Sequence, residues 1–419
     1  MRQLIRRSGF IVSAVWAAAL LLAATGDSSE PQQPRARISP SIARVTPNGQ
    51  QQFRVSARLA RLEGAATIHN VKWSVNDVFG GNPEFGTIDA SGLYRAPAKT
   101  PGPNEIRIGA EVEGVANRFV WATAIMGSGK PAYRRVRSWG EPIEKLAHLR
   151  SPHGVTIGRN GEVIIADESS HRVVRYSAEG KFLGEVGYGF GREPGQFTKP
   201  RHTAVDADGR IWVSDEKSDR ARLQVFSADG EFTRTLGEKG TAPGMLLRPH
   251  GMQFDRQQRL FVVDVDNARV NVYDKNGKFL FDWGKDGLYP GEFNAAHGLF
   301  IDPSGDVFIS GYYGPIQKFT ANGKFLSAFG YGEPPDGPVH FHAIGGDRWG
   351  NVYTTVRNLG HLPNEVSIVK YNNNGDFVTS WRLSSPDREV NWVTTDERGL
   401  VYAIYDSKSH VGVEVFQPE

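Results

Sequence analysis

The sequence predicts an all-β chain, a six-bladed β-propeller preceded by a smaller β-sandwich, and three observations carry that reading. The stretch Ser151 to Gly187 reads as a meander of four short strands: GVTI, a turn at Asn160-Gly161, the apolar run VIIA, then VVRY and KFLGEV joined at Glu179-Gly180. The pattern returns. Turn glycines Gly161, Gly209, Gly305, Gly350 and Gly399, with Gln258 in the remaining copy, mark six copies spaced 48, 49, 47, 45 and 49 residues apart. One four-stranded sheet cannot bury both of its faces alone, so a period in the forties means sheets stacked in a ring. The third observation concerns closure. Five copies have a fourth strand opening Gly-x-Phe (Gly180-Phe182, Gly230-Phe232, Gly277-Phe279, Gly323-Phe325, Gly375-Phe377), whereas the sixth ends at Val413 to Glu419 with three strands. Arg135 to Gly140 (RVRSWG) matches FLFDWG at Phe279 to Gly284 and is expected to supply the missing strand, removing an exposed sheet edge.

Taken in order, residues 1–26 read as an export signal: Arg2, Arg6 and Arg7, an apolar run from Phe10 to Ala24, and small residues at Ala23 to Gly26. Ser8-Gly9 does not suit a twin-arginine signal, and the run is short for a membrane span, so ordinary secretion is preferred to a retained anchor. The expected location is extracytoplasmic, periplasmic or secreted, with no membrane span in the mature chain. Zero cysteines exclude disulfides and a lipid-modified cysteine. Residues 27–37 read as a linker, 38–126 as the sandwich, 127–132 as a second linker and 133–419 as the propeller. In the sandwich QQFRVSARL, VKWSV, EIRIGAEV and FVWATAIM alternate as strands, with Trp73 a core residue. Gly127 to Lys130 (GSGK) lacks the upstream glycine and following helix of a phosphate loop. The net charge of +3, from 49 basic and 46 acidic residues, gives no basic face, and strand alternation splits Arg134, Arg135 and Arg137 between faces; no nucleic-acid partner is expected.

The residues from Gly86 to Ala98 (GTIDASGLYRAPA), with Gly49-Gln50 and the Trp73 strand, resemble bacterial immunoglobulin-like domains. Asp-x-x-x-x-Arg-Val at Asp167 to Val173 and Asp264 to Val270, with Pro-Gly-x-Phe at Pro194 to Phe197 and Pro290 to Phe293, resembles NHL repeats over roughly residues 133–419. That resemblance implies an NHL-type propeller and leaves function open, since such propellers host binding modules and enzymes alike. Asp264-Val-Asp266-Asn267 shares its repeat position with Asp167 to Ser170 and is read as structural rather than a calcium loop. The aspartate and arginine of the early copies are read as a polar pair within each repeat.

Candidate chemistry lies at the channel mouth, eight places before each turn residue, where the occupants are His153, Arg201, His250, His297, His342 and Asn391. Alternate copies supply His153, His250 and His342, three imidazoles suited to a divalent metal such as zinc with an open position; His297 as a fourth ligand would close the site. Histidines lining a wet channel also need no ligand. Arg201 would hold an anionic group, with His202 and Asn391 nearby. Copies four and five replace the early pattern with Gly311-Tyr-Tyr-Gly314 and a longer loop, making Tyr312, Tyr313, Arg357 and His361 candidates for ligand binding.

The alternating Pro-His pattern resembles the propeller of peptidyl-α-hydroxyglycine α-amidating lyase, in which three such histidines hold zinc. His153 in Ser-Pro-His-Gly and His250 in Arg-Pro-His-Gly match that pattern, and His342 matches by repeat position with Phe341 in place of proline. Ala343 stands where the lyase has a calcium-binding aspartate, and Lys217 and Val265 stand near the positions of its catalytic tyrosine and substrate arginine. The family's disulfide cysteines are absent, so the resemblance implies fold and metal and not the reaction. Two readings follow. One is a binding or scaffold module taking a peptide, glycan or protein at the mouth. The other is a metal-dependent lyase or hydrolase with Arg201 clamping the substrate and Tyr312 or Tyr313 as base.

Overall fold

In the computed structural model the described residues are 34–58, 68, 70–142, 149–217, 219–312, 314–330, 340–357, 368–384, 389–407 and 410–419. The expected export signal falls outside them. Among the described residues no helix is long and apolar enough to cross a membrane.

Six four-stranded antiparallel sheets dominate the structure. Sheet 1 is Pro152–Ile157, Val163–Asp167, Arg172–Tyr176 and Phe182–Val186. Sheet 2 is Pro200–Val205, Ile211–Lys217, Arg220–Phe226 and Phe232–Leu236. Sheet 3 is Pro249–Phe254, Leu260–Asp264, Arg269–Tyr273 and Phe279–Trp283. Sheet 4 is Ala296–Ile301, Val307–Gly311, Ile316–Phe319 and Phe325–Phe329, and sheet 5 is His340–Gly346, Val352–Arg357, Ile368–Tyr371 and Phe377–Trp381. Sheet 6 takes Glu389–Thr395, Val401–Asp406 and His410–Pro418 from the end of the chain and Tyr133–Pro142 from upstream. The expected closing pairing is present: Arg135 lies opposite Phe416, Trp139 opposite Val413 and Gly140 opposite Gly412. The first strand of each sheet touches the first strands of its two neighbours, and the sixth returns to the first, which is a closed ring of β-propeller type.

The second strands explain why the sheets stack. Val163, Ile164, Ile165 and Ala166, like Leu260 to Val263, are wholly buried, so both faces of the strand meet neighbouring sheets. A buried aspartate stands at or near the end of each of the first three: Asp167 accepts the backbone N–H groups of Arg150 and Ser151, Asp215 those of Thr198 and Lys199, and Asp264 those of Leu247 and Arg248. These carboxylates therefore tie the loop entering each sheet to its second strand. The expected pairing with arginine holds for Asp167–Arg172 (3.3 Å) and Asp215–Arg222 (3.0 Å). In sheet 3 it is replaced, because Asp264 takes Asn267 (2.6 Å) while Arg269 pairs with Asp282 (3.1 Å).

The N-terminal part forms three small sheets around one core that includes Phe53, Trp73, Val75, Tyr94, Ile106 and Ile108. Trp73 is buried as expected. The strand Arg35–Ser39 pairs with Arg54–Arg58, its Ala36 and Ile38 facing the core, so Arg35 to Arg37, expected within the linker, already belong to the N-terminal module. This module meets the ring on the turns at the far ends of the first strands. Asp77 accepts from Trp349 Nε1 at 2.7 Å and pairs with Arg348 at 3.1 Å, and Ser41 donates to Asp376 at 2.5 Å. The mouth, where the histidines begin those strands, lies on the opposite face.

Candidate functional site

A local irregularity in every sheet builds the site. The ladder between first and second strands slips at Pro152/Gly154, Pro200/His202, Pro249/Met252, Ala296/Gly298, Phe341/Ile344 and Val390/Trp392. The skipped residues include all six mouth positions. A bulge re-aims the extra residue out of the pleat, which is how six consecutive sheets turn one side chain each toward a common centre.

Four imidazoles converge there. Ring centroids lie 4.1 Å apart for His250 and His297, 4.1 Å for His297 and His342, 5.2 Å for His153 and His250, 5.4 Å for His153 and His297, and 5.9 Å for His153 and His342. The set whose donor atoms all fall within 4.8 Å of one another is His153, His297 and His342. His297 thus takes the place expected of His250, for a geometric reason: sheets 3, 4 and 5 are consecutive, so their histidines crowd one side while His153 faces them. His250 meets His297 edge-on and lies as near to His153 as His297 does.

The hydrogen bonding satisfies His342 and leaves ring nitrogens of His153, His250 and His297 without a partner. His342 Nδ1 lies 3.2 Å from the Asn391 carbonyl, so it carries the proton and donates, leaving Nε2 as the acceptor; the Tyr312 hydroxyl donates to it at 2.9 Å. The same hydroxyl lies 3.5 Å from His297 Nε2. His153 Nδ1, His297 Nδ1 and both ring nitrogens of His250 are buried without a hydrogen-bond partner. Burial, followed by the positive field of Arg201 and of the neighbouring rings, pushes His153, His250 and His297 well below the ordinary histidine value. Neutral imidazoles are the state a cation requires, since a ring nitrogen must be unprotonated to bind one.

The remaining expected residues divide. Tyr312 sits within the histidine cluster. Arg201 does not present a free charge: its Nε donates to Glu216 at 2.7 Å, and its other guanidinium nitrogens pair with Glu168 and Glu216, which Lys199 also approaches at 3.3 and 3.6 Å. Two cations and two carboxylates balance. Asn391 is committed through Nδ2 to the Pro152 carbonyl (2.8 Å) and Asp406 (3.0 Å), so it positions His342 through its own backbone oxygen. His202 points toward Trp392, ring centroids 4.4 Å apart, and burial lowers it to about 3. Tyr313, His361 and the side chains of Arg357 and Lys217 lie outside the described residues.

Glu168, Glu216 and Trp392 belong to the site and were not anticipated from sequence. Each left a signal. Asp-Glu ends the second strands of sheets 1 and 2 only, beside the one mouth position held by arginine. The residue after each mouth position is Gly154, His202, Gly251, Gly298, Ala343 or Trp392, so the two bulky occupants had to meet in the channel.

The NHL repeat family profile matches residues 149–176 and 197–226, so the chain carries NHL repeats within a β-propeller-type ring. Among individual relatives, protein brain tumor of Drosophila melanogaster is 27% identical over 113 residues, covering 27% of this chain and 10% of that protein. A probable peptidyl-alpha-hydroxyglycine alpha-amidating lyase of Caenorhabditis elegans is 28% identical over 117 residues, covering 27% of this chain and 33% of that protein. The matches therefore span a third or less of these two relatives. Among solved structures, a Bacteroides thetaiotaomicron protein of unknown function aligns with a TM-score of 0.50 at 14% identity, covering 94% of this chain and all of its own. That likeness is one of fold.

Proposed function

We propose that the chain is an exported six-bladed NHL β-propeller, preceded by an immunoglobulin-like module, that works as a binding module through the mouth of its channel, and that the mouth holds one divalent metal ion such as zinc. The observation that carries this reading is the convergence of His153, His297 and His342 within 4.8 Å, where His153 Nδ1 and His297 Nδ1 are buried without a hydrogen-bond partner. An unpaired buried polar atom costs roughly 1–3 kcal/mol, so several around one point call for a shared partner. The donor set suits a cation that accepts imidazole. The N-terminal module is held on the opposite face, so a peptide, glycan or protein would dock at the mouth without competing with it.

A second reading, a metal-dependent lyase or hydrolase, draws on the partial likeness to the amidating-lyase relative and on the Tyr312 hydroxyl beside two imidazoles. The ion-paired state of Arg201 weighs against it, since the residue expected to clamp an anionic substrate is already neutralised.

Elemental analysis of protein purified without chelator or affinity metal tests the reading. About one equivalent of divalent metal is expected, lost in His297→Ala and in His342→Ala. Metal-free protein whose melting temperature does not respond to added zinc would falsify the metal assignment.

A further inference from the structure

We infer that Tyr312 is the fourth donor of the metal site, so that the site is a closed set of three imidazoles and one phenol oxygen rather than an open three-histidine site. The inference rests on the metal reading above and deepens it. Tyr312 follows Gly311 at the end of the second strand of sheet 4, and its backbone N–H is anchored on the Ala295 carbonyl at 3.2 Å, which fixes where the ring begins. The ring then packs edge-on against both imidazoles, centroids 5.0 Å from His297 and 5.1 Å from His342. Its oxygen lies 2.9 Å from His342 Nε2 and 3.5 Å from His297 Nε2.

Those two distances bracket the separation of neighbouring ligands on a tetrahedral ion. With metal–nitrogen distances of about 2.0–2.1 Å, two ligand atoms at the tetrahedral angle stand about 3.3 Å apart. The hydroxyl therefore occupies the place of a ligand relative to its two neighbours before any ion arrives. The tautomer of His342 points the same way. Its Nδ1–H is used by the Asn391 carbonyl, so the lone pair of Nε2 faces the hydroxyl, and one phenol proton lies between two atoms that would both bind a cation. Coordination would replace that proton with the ion and release it to solvent, with the two heavy atoms parting by only about 0.4 Å.

The consequence is chemical. An anionic oxygen added to three neutral nitrogens fills the fourth position, so the site would hold zinc in the closed, structural manner and, through its phenolate, would also accept cupric or ferric ion. A closed site also fits a binding propeller better than a hydrolytic one.

Chelator-treated full-length protein, wild type and Tyr312→Phe, would be titrated with cupric ion and followed by visible absorption and by bound-metal analysis. The expected result is a phenolate-to-metal charge-transfer band in the wild type that disappears in Tyr312→Phe, while the variant still binds about one equivalent with at least tenfold weaker affinity. Stoichiometric binding with no such band in the wild type, or an unchanged band in Tyr312→Phe, overturns the inference and leaves the three-histidine site intact. Failure of the wild type to bind any copper or zinc overturns the metal reading itself and this inference with it. Near-native circular dichroism of the variant separates loss of a donor from loss of fold.

Discussion

Lys370 of sheet 5 and Glu105 of the N-terminal module form an ion pair across the junction of the two parts, with only 4% and 5% of their side chains exposed. Burial pulls the ammonium toward neutrality, and Glu105 outweighs it, holding Lys370 above its ordinary value. Lys370 also donates to the Tyr133 hydroxyl at 3.1 Å, and Tyr133 stacks on Trp381 at 4.0 Å. Such a pair is worth little against an apolar replacement, yet breaking it strands a charge. Lys370→Met is expected to lower stability by about 3–5 kcal/mol, and the double variant Lys370→Met/Glu105→Leu to recover most of that loss. Urea unfolding of the three proteins checks it; equal losses in single and double variants would refute the pairing.

Gly154 is a second point where the channel dictates a residue. A Cβ there would come within 2.5 Å of His202 Cδ2 and 2.6 Å of the Arg201 carbonyl, with backbone on one side and a packed ring on the other. Gly154→Ala is expected to cost about 1–3 kcal/mol by overpacking and to move His202 off Trp392. Gly161 is the control. Nothing lies within 4 Å of its Cβ position, and only its left-handed backbone (φ 74°) penalises alanine, so about 1 kcal/mol is expected. Thermal melts of both variants distinguish the two mechanisms, and Trp392 fluorescence should respond to the first alone. A Gly154→Ala protein as stable as Gly161→Ala would contradict the crowding.

Much of the ring was legible because its determinants are local and repeated. Turn glycines, the buried run VIIA and the strand remainder at Val413 each announce themselves within a few residues, and the closing partner Arg135 to Gly140 is recognisable by likeness to Phe279 to Gly284. The mouth was legible as a list of residues and not as an arrangement. Which imidazoles share a point depends on six bulges and on how the rings crowd, so periodicity favoured alternate copies while packing brought consecutive ones together. Arg201 shows the same limit. Its position at the mouth follows from the repeat, but its neutralisation depends on Glu168, 33 residues away in another sheet. Arg35 to Arg37 were hidden for a different reason: a polar, proline-rich neighbourhood masked the first half of a strand in which Ala36 and Ile38 are the residues buried in the core.

The buried histidines also set how the protein responds to acid. His153, His250 and His297 are held well below their ordinary value of 6.5, first by burial and then by nearby positive charge, and His202 is lowered to about 3 by burial. In the unfolded chain each would titrate near 6.5, so below that pH the unfolded state binds more protons than the folded one. Stability is then complete above about pH 6.5 and is lost as the pH falls through and beneath it, for His202 continuing toward about pH 3. Each histidine contributes a slope of at most about 1.4 kcal/mol per pH unit. For chelator-treated protein the urea midpoint should therefore drop steeply between about pH 7 and about pH 5. His202→Phe removes one buried titrating ring while keeping an aromatic partner for Trp392, and should flatten the slope by about one proton's worth. A midpoint that stays level across that window would show that the histidines titrate in the folded protein as they do in the unfolded chain, reached by water that the packing described above excludes.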